Sequence, residues 1–189
     1  VGVNVIANET SAGIGAGANI DASGDIDVEA SQNSLLNVNT VAVAGGIAGV
    51  GGAFSVGVIA NKTKAYVEGS DDLTDRTTLN AGGTTAISAV SEENLVTATV
   101  SGAGGVAGVT GAFGVKVVKS DTDAYIGKNS IVTADEVEVD ATDTIRVVGV
   151  GGAATGGLVG VGGTVDATIV LNTTSAHIDS GAEIDAVHD

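Results

Sequence analysis

Three stretches of this chain align with one another without a gap. Ala44 to Asn61 reads Ala-Gly-Gly-Ile-Ala-Gly-Val-Gly-Gly-Ala-Phe-Ser-Val-Gly-Val-Ile-Ala-Asn, and its counterparts run from Ala103 to Ser120 and from Thr155 to Asn172. Self-similarity at a fixed spacing settles the architecture before any local pattern does, because each unit must bury its apolar face against the next. Two landmarks set the register. A Thr-x-Ala-x-(Ile/Val) element begins at Thr10, Thr63, Thr122 and Thr174, and an alternating strand closes at Ala30, Ala89 and Ala141. From each such alanine to the next threonine the span is always 33 residues, while from threonine to alanine it is 20, 26 and 19. Length variation is thus confined to one place per unit. In the second unit it falls between Val67 and Leu79, which marks a loop added to a fixed scaffold. The chain therefore divides into a partial unit 1–9, units 10–62, 63–121 and 122–173, and a partial unit 174–189: one array, 1–189, expected to be a piece of a longer one.

Composition narrows what such a unit can be. Apolar residues make up 43% of the chain but aromatics only 2%, so the interior must be thin and filled by Val, Ala and Ile. The 30 glycines, with no proline, lie inside the repeat and do not form a linker. There is no cysteine, which excludes disulfide and thiol chemistry but not an extracellular setting, since stacked arrays can do without cross-links. A net charge of −16 repels phosphate backbones and argues against nucleic acid as a partner. It also suits a salty or calcium-containing exterior. Residues 41–60, 96–115 and 147–165 carry no charge, yet their glycines would cost about 1 kcal/mol each in a helix and their flanks have few Lys or Arg to orient a span. Short apolar strands account for them better, and no membrane insertion by this segment is expected.

No helical periodicity appears; period-two alternation does. Val1 to Ala7 reads as one strand, and after the Asn8-Glu9 step a second is expected from Thr10, with Thr, Ala and Ile/Val on its buried face in every unit. Asn19 to Ala22 is a short strand, Ser23-Gly24 a turn, and Asp25-Ile26-Asp27-Val28-Glu29-Ala30 alternates acid out and apolar in. Glu136 to Ala141 repeats this alternation, while Thr84 to Ala89 keeps Ile87 without the acids, so these carboxylates read as a solvated face. Leu36 to Val43 continues as strand into the glycine pairs at 45–46, 104–105 and 156–157, where backbones can approach closely or turn with positive φ. The expected fold is an all-β solenoid, a parallel β-helix built from repeats of about 53 residues. At ordinary strand and turn lengths each repeat should make about two coils, giving roughly seven coils stacked over about 34 Å. An antiparallel meander with the glycine-rich segment as a hairpin is the competing arrangement.

Candidate chemistry is sparse. The Gly-Gly-x-Gly-x-Asp nonapeptides of calcium-binding β-rolls are absent. Asp71, Asp72 and Asp75 sit together in the added loop, where a solvated acidic surface is the simpler reading than a weak cation site. Sugar-stacking aromatics are limited to Tyr66 and Tyr125. His177 occupies the outward position of those tyrosines and His188 lies near the end of the chain; neither has a nucleophile or ligand at useful spacing. Asn8, Asn61 and Asn172 each open an Asn-x-Thr triplet at one repeat position, read as a corner whose side chain caps backbone in preference to a glycosylated site. No catalytic, cofactor-binding or metal-ligating residue is assigned, and no cofactor is expected.

The elements Asn-x-Thr-x-Ala-x-Ile, Gly-Val-Gly-Gly-Ala and Asp-Ile-Asp-Val-Glu-Ala together resemble the β-helical repeats of large secreted bacterial adhesins. These are the filamentous haemagglutinin-like and autotransporter passenger proteins and, most closely, the leukotoxin-type filamentous adhesins. The resemblance covers nearly the whole chain through motifs of low complexity. It implies a surface-exposed, adhesive stalk segment, secreted or at the cell surface, without chemistry of its own. Its partners would be neighbouring repeats of the same chain and a host-cell or other surface receptor. A polysaccharide-acting β-helix enzyme or a cation-binding β-solenoid is the alternative.

Overall fold

A computed structural model describes residues 1–187, and within them the chain is all strand and turn. Long strands β1 (Gly2–Ile14), β4 (Ala48–Val67), β7 (Ala107–Ile126) and β10 (Val159–Ile178) form one parallel sheet, here called the front sheet. The back sheet holds β3 (Ile26–Gly45), β6 (Thr84–Gly104) and β9 (Glu136–Gly156), also parallel. A narrow side sheet stacks β2 (Asn19–Ala22), β5 (Thr78–Ala81), β8 (Ile131–Ala134) and β11 (Glu183–Ala186). The path of each unit is front strand, short connection, side strand, back strand, glycine turn, and then the next front strand one layer on. This is a parallel β-solenoid.

One repeat makes one coil, and this corrects the expectation of two. Strands β4 and β7 each run 20 residues without interruption, about 66 Å at roughly 3.3 Å per residue. The coil is therefore broad and flat. Four layers of front strand span about 14 Å at roughly 4.8 Å per layer, in place of the taller stack of seven small coils. The break expected at Asn8-Glu9 is also absent, since β1 passes through it. The antiparallel alternative does not occur either. The glycine turn carries the chain between sheets, from β3 to β4, and every strand pair is parallel and in register, so that Thr63 lies beside Thr10 and Thr122, and Ala89 beside Ala30 and Ala141.

Turn chemistry follows the repeat. Gly46, Gly105 and Gly157 have φ of 144°, 148° and 139°, a backbone that side chains resist. Beyond the turn the two sheets converge: a Cβ on Gly49 would lie 2.7 Å from the Gly104 carbonyl oxygen, and one on Gly51 2.6 Å from that of Gly102. The narrow cross-section expected there is present. At the other end of the coil three connections have four residues, and their third residue, Gly17, Asn129 or Gly181, takes φ of 72°, 58° or 76°.

Inward side chains follow period two along the whole of each long strand, as in β6, where buried and partly exposed positions alternate from Thr85 onward. They form two apolar clusters. One, beside the side sheet, gathers Val28, Val67, Leu79, Ile87, Ile126 and Val132. The other, in mid-coil, holds Leu36, Val38, Ile59, Leu95 and Val118.

The added loop lies where the spacing placed it. Between Val67 and Thr78 the chain takes ten residues against four in the other connections. Asp71 to Asp75 are exposed, and the loop is held by Ser70 N–H to the Lys128 carbonyl at 3.1 Å and Asn129 Nδ2 to the Ser70 carbonyl at 2.8 Å. Deleting Ser70 to Asp75 leaves Glu68, Gly69, Arg76 and Thr77, again four residues. The deletion is expected to change stability by no more than about 1 kcal/mol, because surface-loop length costs little. A loss of several kcal/mol in denaturant melts would mean that the loop carries the coil.

Candidate functional site

Between the two apolar clusters the interior turns polar, and here a group of buried polar side chains meets from both sheets. The front sheet contributes a column of Asn8, Asn61, Ser120 and Asn172, with Thr10, Thr63, Thr122 and Thr174 beside it. Opposite them the back sheet presents Gln32 and Ser34, then Ser91 and Glu93, then Asp143. Asn61 Nδ2 donates to Ser34 Oγ at 2.9 Å and to Glu93 Oε1 at 3.1 Å. The same Glu93 oxygen accepts from Ser91 Oγ at 2.5 Å and Ser120 Oγ at 3.0 Å. Thr10 Oγ1 donates to Gln32 Oε1 at 3.0 Å. This overturns the corner reading of the asparagines: Asn61 is mid-strand, 4% exposed, and bonds to side chains across the interior. Enclosed there, its amide is also out of reach of glycosylation in the folded chain. Asn8 and Asn172 are exposed because they sit in the outermost layers.

Glu93 is fully buried and its Oε2 has no hydrogen-bond donor; Asp143 Oδ1 is in the same position. The Asp143 carboxyl is pushed up to about 6. Burial is the main cause and Glu93 adds to it, against the lowering influence of the nearby Ser120 and Thr122 hydroxyls. Protonation relieves the Asp143 carboxylate of the cost of leaving water. The sign follows. An acid whose folded pKa is raised favours the fold while it is protonated, so its contribution is present below its ordinary value near 4 and fades as pH rises through about 6. Because Asp143 is partly solvated, the loss between pH 5 and pH 8 is expected to be about 1 kcal/mol after discounting for screening. Denaturant midpoints of the parent and of Asp143→Asn across that range test this. The variant should show a shallower decline above pH 5, and equal slopes would remove Asp143 as the cause.

Toward the glycine turn the interior holds an ion pair, Lys116 Nζ with Asp166 Oδ1, the lysine side chain 2% exposed and the aspartate 30%. Gly149 on the facing back sheet makes the space, since a Cβ there would collide with both ends of the pair. Sequence reasoning singled out none of Glu93, Asp143, Lys116 and Asp166. The signal was available, because period two continued from the Thr-x-Ala-x-Ile element and from Ala89 and Ala141 points all four inward.

On the outer front face the residues flagged from sequence do come together. Tyr66 stacks on Tyr125 at 5.5 Å between ring centroids, and Tyr125 on His177 at 5.3 Å. Lys64 lies 3.9 Å from Asp123 and 5.9 Å from the centre of the Tyr125 ring. Burial raises the Tyr125 phenol above its ordinary value, and the Asp123 carboxylate adds to this. Gly13 lies against the remaining face of Tyr66, so each tyrosine ring has a neighbour on both faces and neither offers a sugar an open one. His188 lies outside the described residues. In the added loop, Asp72 accepts from the Thr74 amide at 2.8 Å and the Thr74 hydroxyl at 2.7 Å, which lower its pKa, and Asp71 pairs with Lys128. The loop carboxylates thus serve turn geometry and a surface ion pair. Among the described residues no three His, Cys, Asp or Glu side chains are grouped as a metal would need, and no helix is long and apolar enough to cross a membrane. The outer acids Asp27, Glu29, Glu136, Glu138 and Asp140 are exposed along two back strands, and Asp27, Glu29 and Glu136 border recesses open to solvent. Comparison with family models, with curated proteins and with solved structures returned no match to this chain.

Proposed function

We propose that this chain is a structural and adhesive segment of a secreted or surface-anchored bacterial fibrous protein, a stalk that holds a binding surface at a distance. The observation that supports the reading is the unbroken register: each front and back strand pairs along nearly its whole length with the equivalent strand of the next unit. A unit that repeats in this way lengthens a rod by one layer and changes nothing else. Among the polar groups it encloses, Asn61 bonds to Glu93 of the next unit, and its outer acids form a solvated stripe. Adhesion would come through the outward columns, which repeat at every layer and so offer many weak contacts in series.

The rod reading is tested by small-angle scattering on arrays of increasing unit number, whose longest axis should come to grow by about 4.8 Å per added unit. Adhesion is tested with beads coated with the purified chain on host-cell monolayers. Retention no better than on albumin-coated beads would leave a stalk without adhesive function. Turnover of any polysaccharide in a hydrolysis panel would overturn the reading in favour of an enzyme.

A further inference from the structure

The two broad outer faces of the solenoid differ in how far their apolar part extends. On the back face the outward columns begin with Asp27, Ala86 and Glu138, run through Asn33, Glu92 and Thr144, and lack polar side chains in the last three columns, from that of Val41 to that of Gly45. On the front face six successive outward columns, from that of Ala48 to that of Val58, contain no polar side chain in any layer. The exposure there does not arise at the ends of the stack. In β7, which has a front strand on either side, Val109 is still 51% exposed and Phe113 40%.

This face also has relief. Val50, Val109 and Val161 form one ridge, and Phe54, Phe113 and Val165 a second, with the two phenyl rings stacked at 5.5 Å. Between them runs a column of Gly52, Gly111 and Gly163, where an added Cβ would meet no side chain. A groove one side chain wide thus lies between two apolar ridges of matching spacing. We propose that this front face, from the Ala48 column to the Val58 column, docks a second copy of the array, the valine ridge of each copy seated in the glycine groove of the other.

A second copy fits the observations better than other occupants. The face exposes on the order of 1,000 Å² of apolar surface, against roughly 800 Å² per partner in a standard interface, and apolar patches of this size mark interaction sites. With 23 acidic and 7 basic residues, two copies repel wherever their charged regions meet, and none of these six columns carries a charged side chain. A lipid surface would call for Trp, Tyr, Lys or Arg anchors at its margin. The chain has no Trp, and the column that borders the face, Ala60, Lys119 and Leu171, carries a single lysine. Sheet-on-sheet contact near 10 Å between copies is ordinary β-sandwich packing.

The test is sedimentation of the chain between about 1 and 100 μM, alone and as two variants. Gly111→Val fills the groove in an open direction and suits a strand, and Val109→Lys puts charge on the ridge; circular dichroism and melting check that both fold. The parent is expected to dimerise in this range, with association weakened at least tenfold in both variants and unchanged in Glu29→Lys on the back face. A parent that stays monomeric throughout would overturn the proposal, as would dimers that survive both substitutions. Flotation of a monomeric parent with phosphatidylcholine vesicles, lost in the two variants, would overturn it in favour of a lipid surface.

Discussion

Ile87→Asp is expected to cost about 4 kcal/mol, among the largest losses a single substitution in this chain should produce. Ile87 is fully buried and stacks between Val28 and Val139 in the cluster beside the side sheet. An aspartate there loses the packing of a large aliphatic group and places a carboxylate in a largely apolar layer, with the Thr85 hydroxyl beside it on the same strand face. Val139→Asp should cost less, because Val139 is only half-buried in the outermost back strand and its carboxylate can reach water. Since each coil leans on its neighbours, Ile87→Asp should open the middle layer and detach the layers on either side. The control lies one residue away. Ala86 points outward between Asp27 and Glu138, so Ala86→Lys should stay within about 0.5 kcal/mol of the parent or stabilise it. Urea melts of the three variants decide the register. A loss at Ala86→Lys comparable to that at Ile87→Asp would place the wrong face inside.

What the sequence made legible was the repeat, the parity of the strands near its landmarks, the glycine turn and the site of the added loop. The number of coils was not, and one residue shows why. Asparagine is depleted from strands, so Asn8, Asn61 and Asn172 suggest a corner, and a corner there cuts each 20-residue strand into pieces that suit a small coil. In the fold a polar residue in mid-strand is tolerated because the opposite sheet brings Ser34 and Glu93 to Asn61. That pairing joins residues about 30 positions apart, and no local pattern reports it. The same cut concealed the buried charges. Had parity been carried from Ala141 to Asp143, or from Thr122 back to Lys116, their inward direction would have followed. Their partners, set by which strand lies opposite, would not.

Lys116 and Asp166 supply the second large effect. The lysine is enclosed while the aspartate keeps contact with water, so the two halves of the pair are not equivalent. Asp166→Asn leaves an ammonium group inside the solenoid without a counter-charge, and losses of about 3 kcal/mol are typical when one partner of a buried pair is removed. Lys116→Met leaves instead a carboxylate that can hydrate, and the methionine fills the apolar part of the lysine's path at a cost of about 1 kcal/mol. With both changes made, no charge is stranded. The double variant should therefore be more stable than Asp166→Asn alone by about 2 kcal/mol, the signature of an ion pair that is costly to break and cheap to replace. Gly149→Ala should resemble Asp166→Asn, because its methyl group occupies the space in which the two side chains meet. Melts of these variants at neutral pH and moderate salt provide the test: equal, small losses from Asp166→Asn and Lys116→Met would mean that the lysine reaches solvent and that the pair is a surface one.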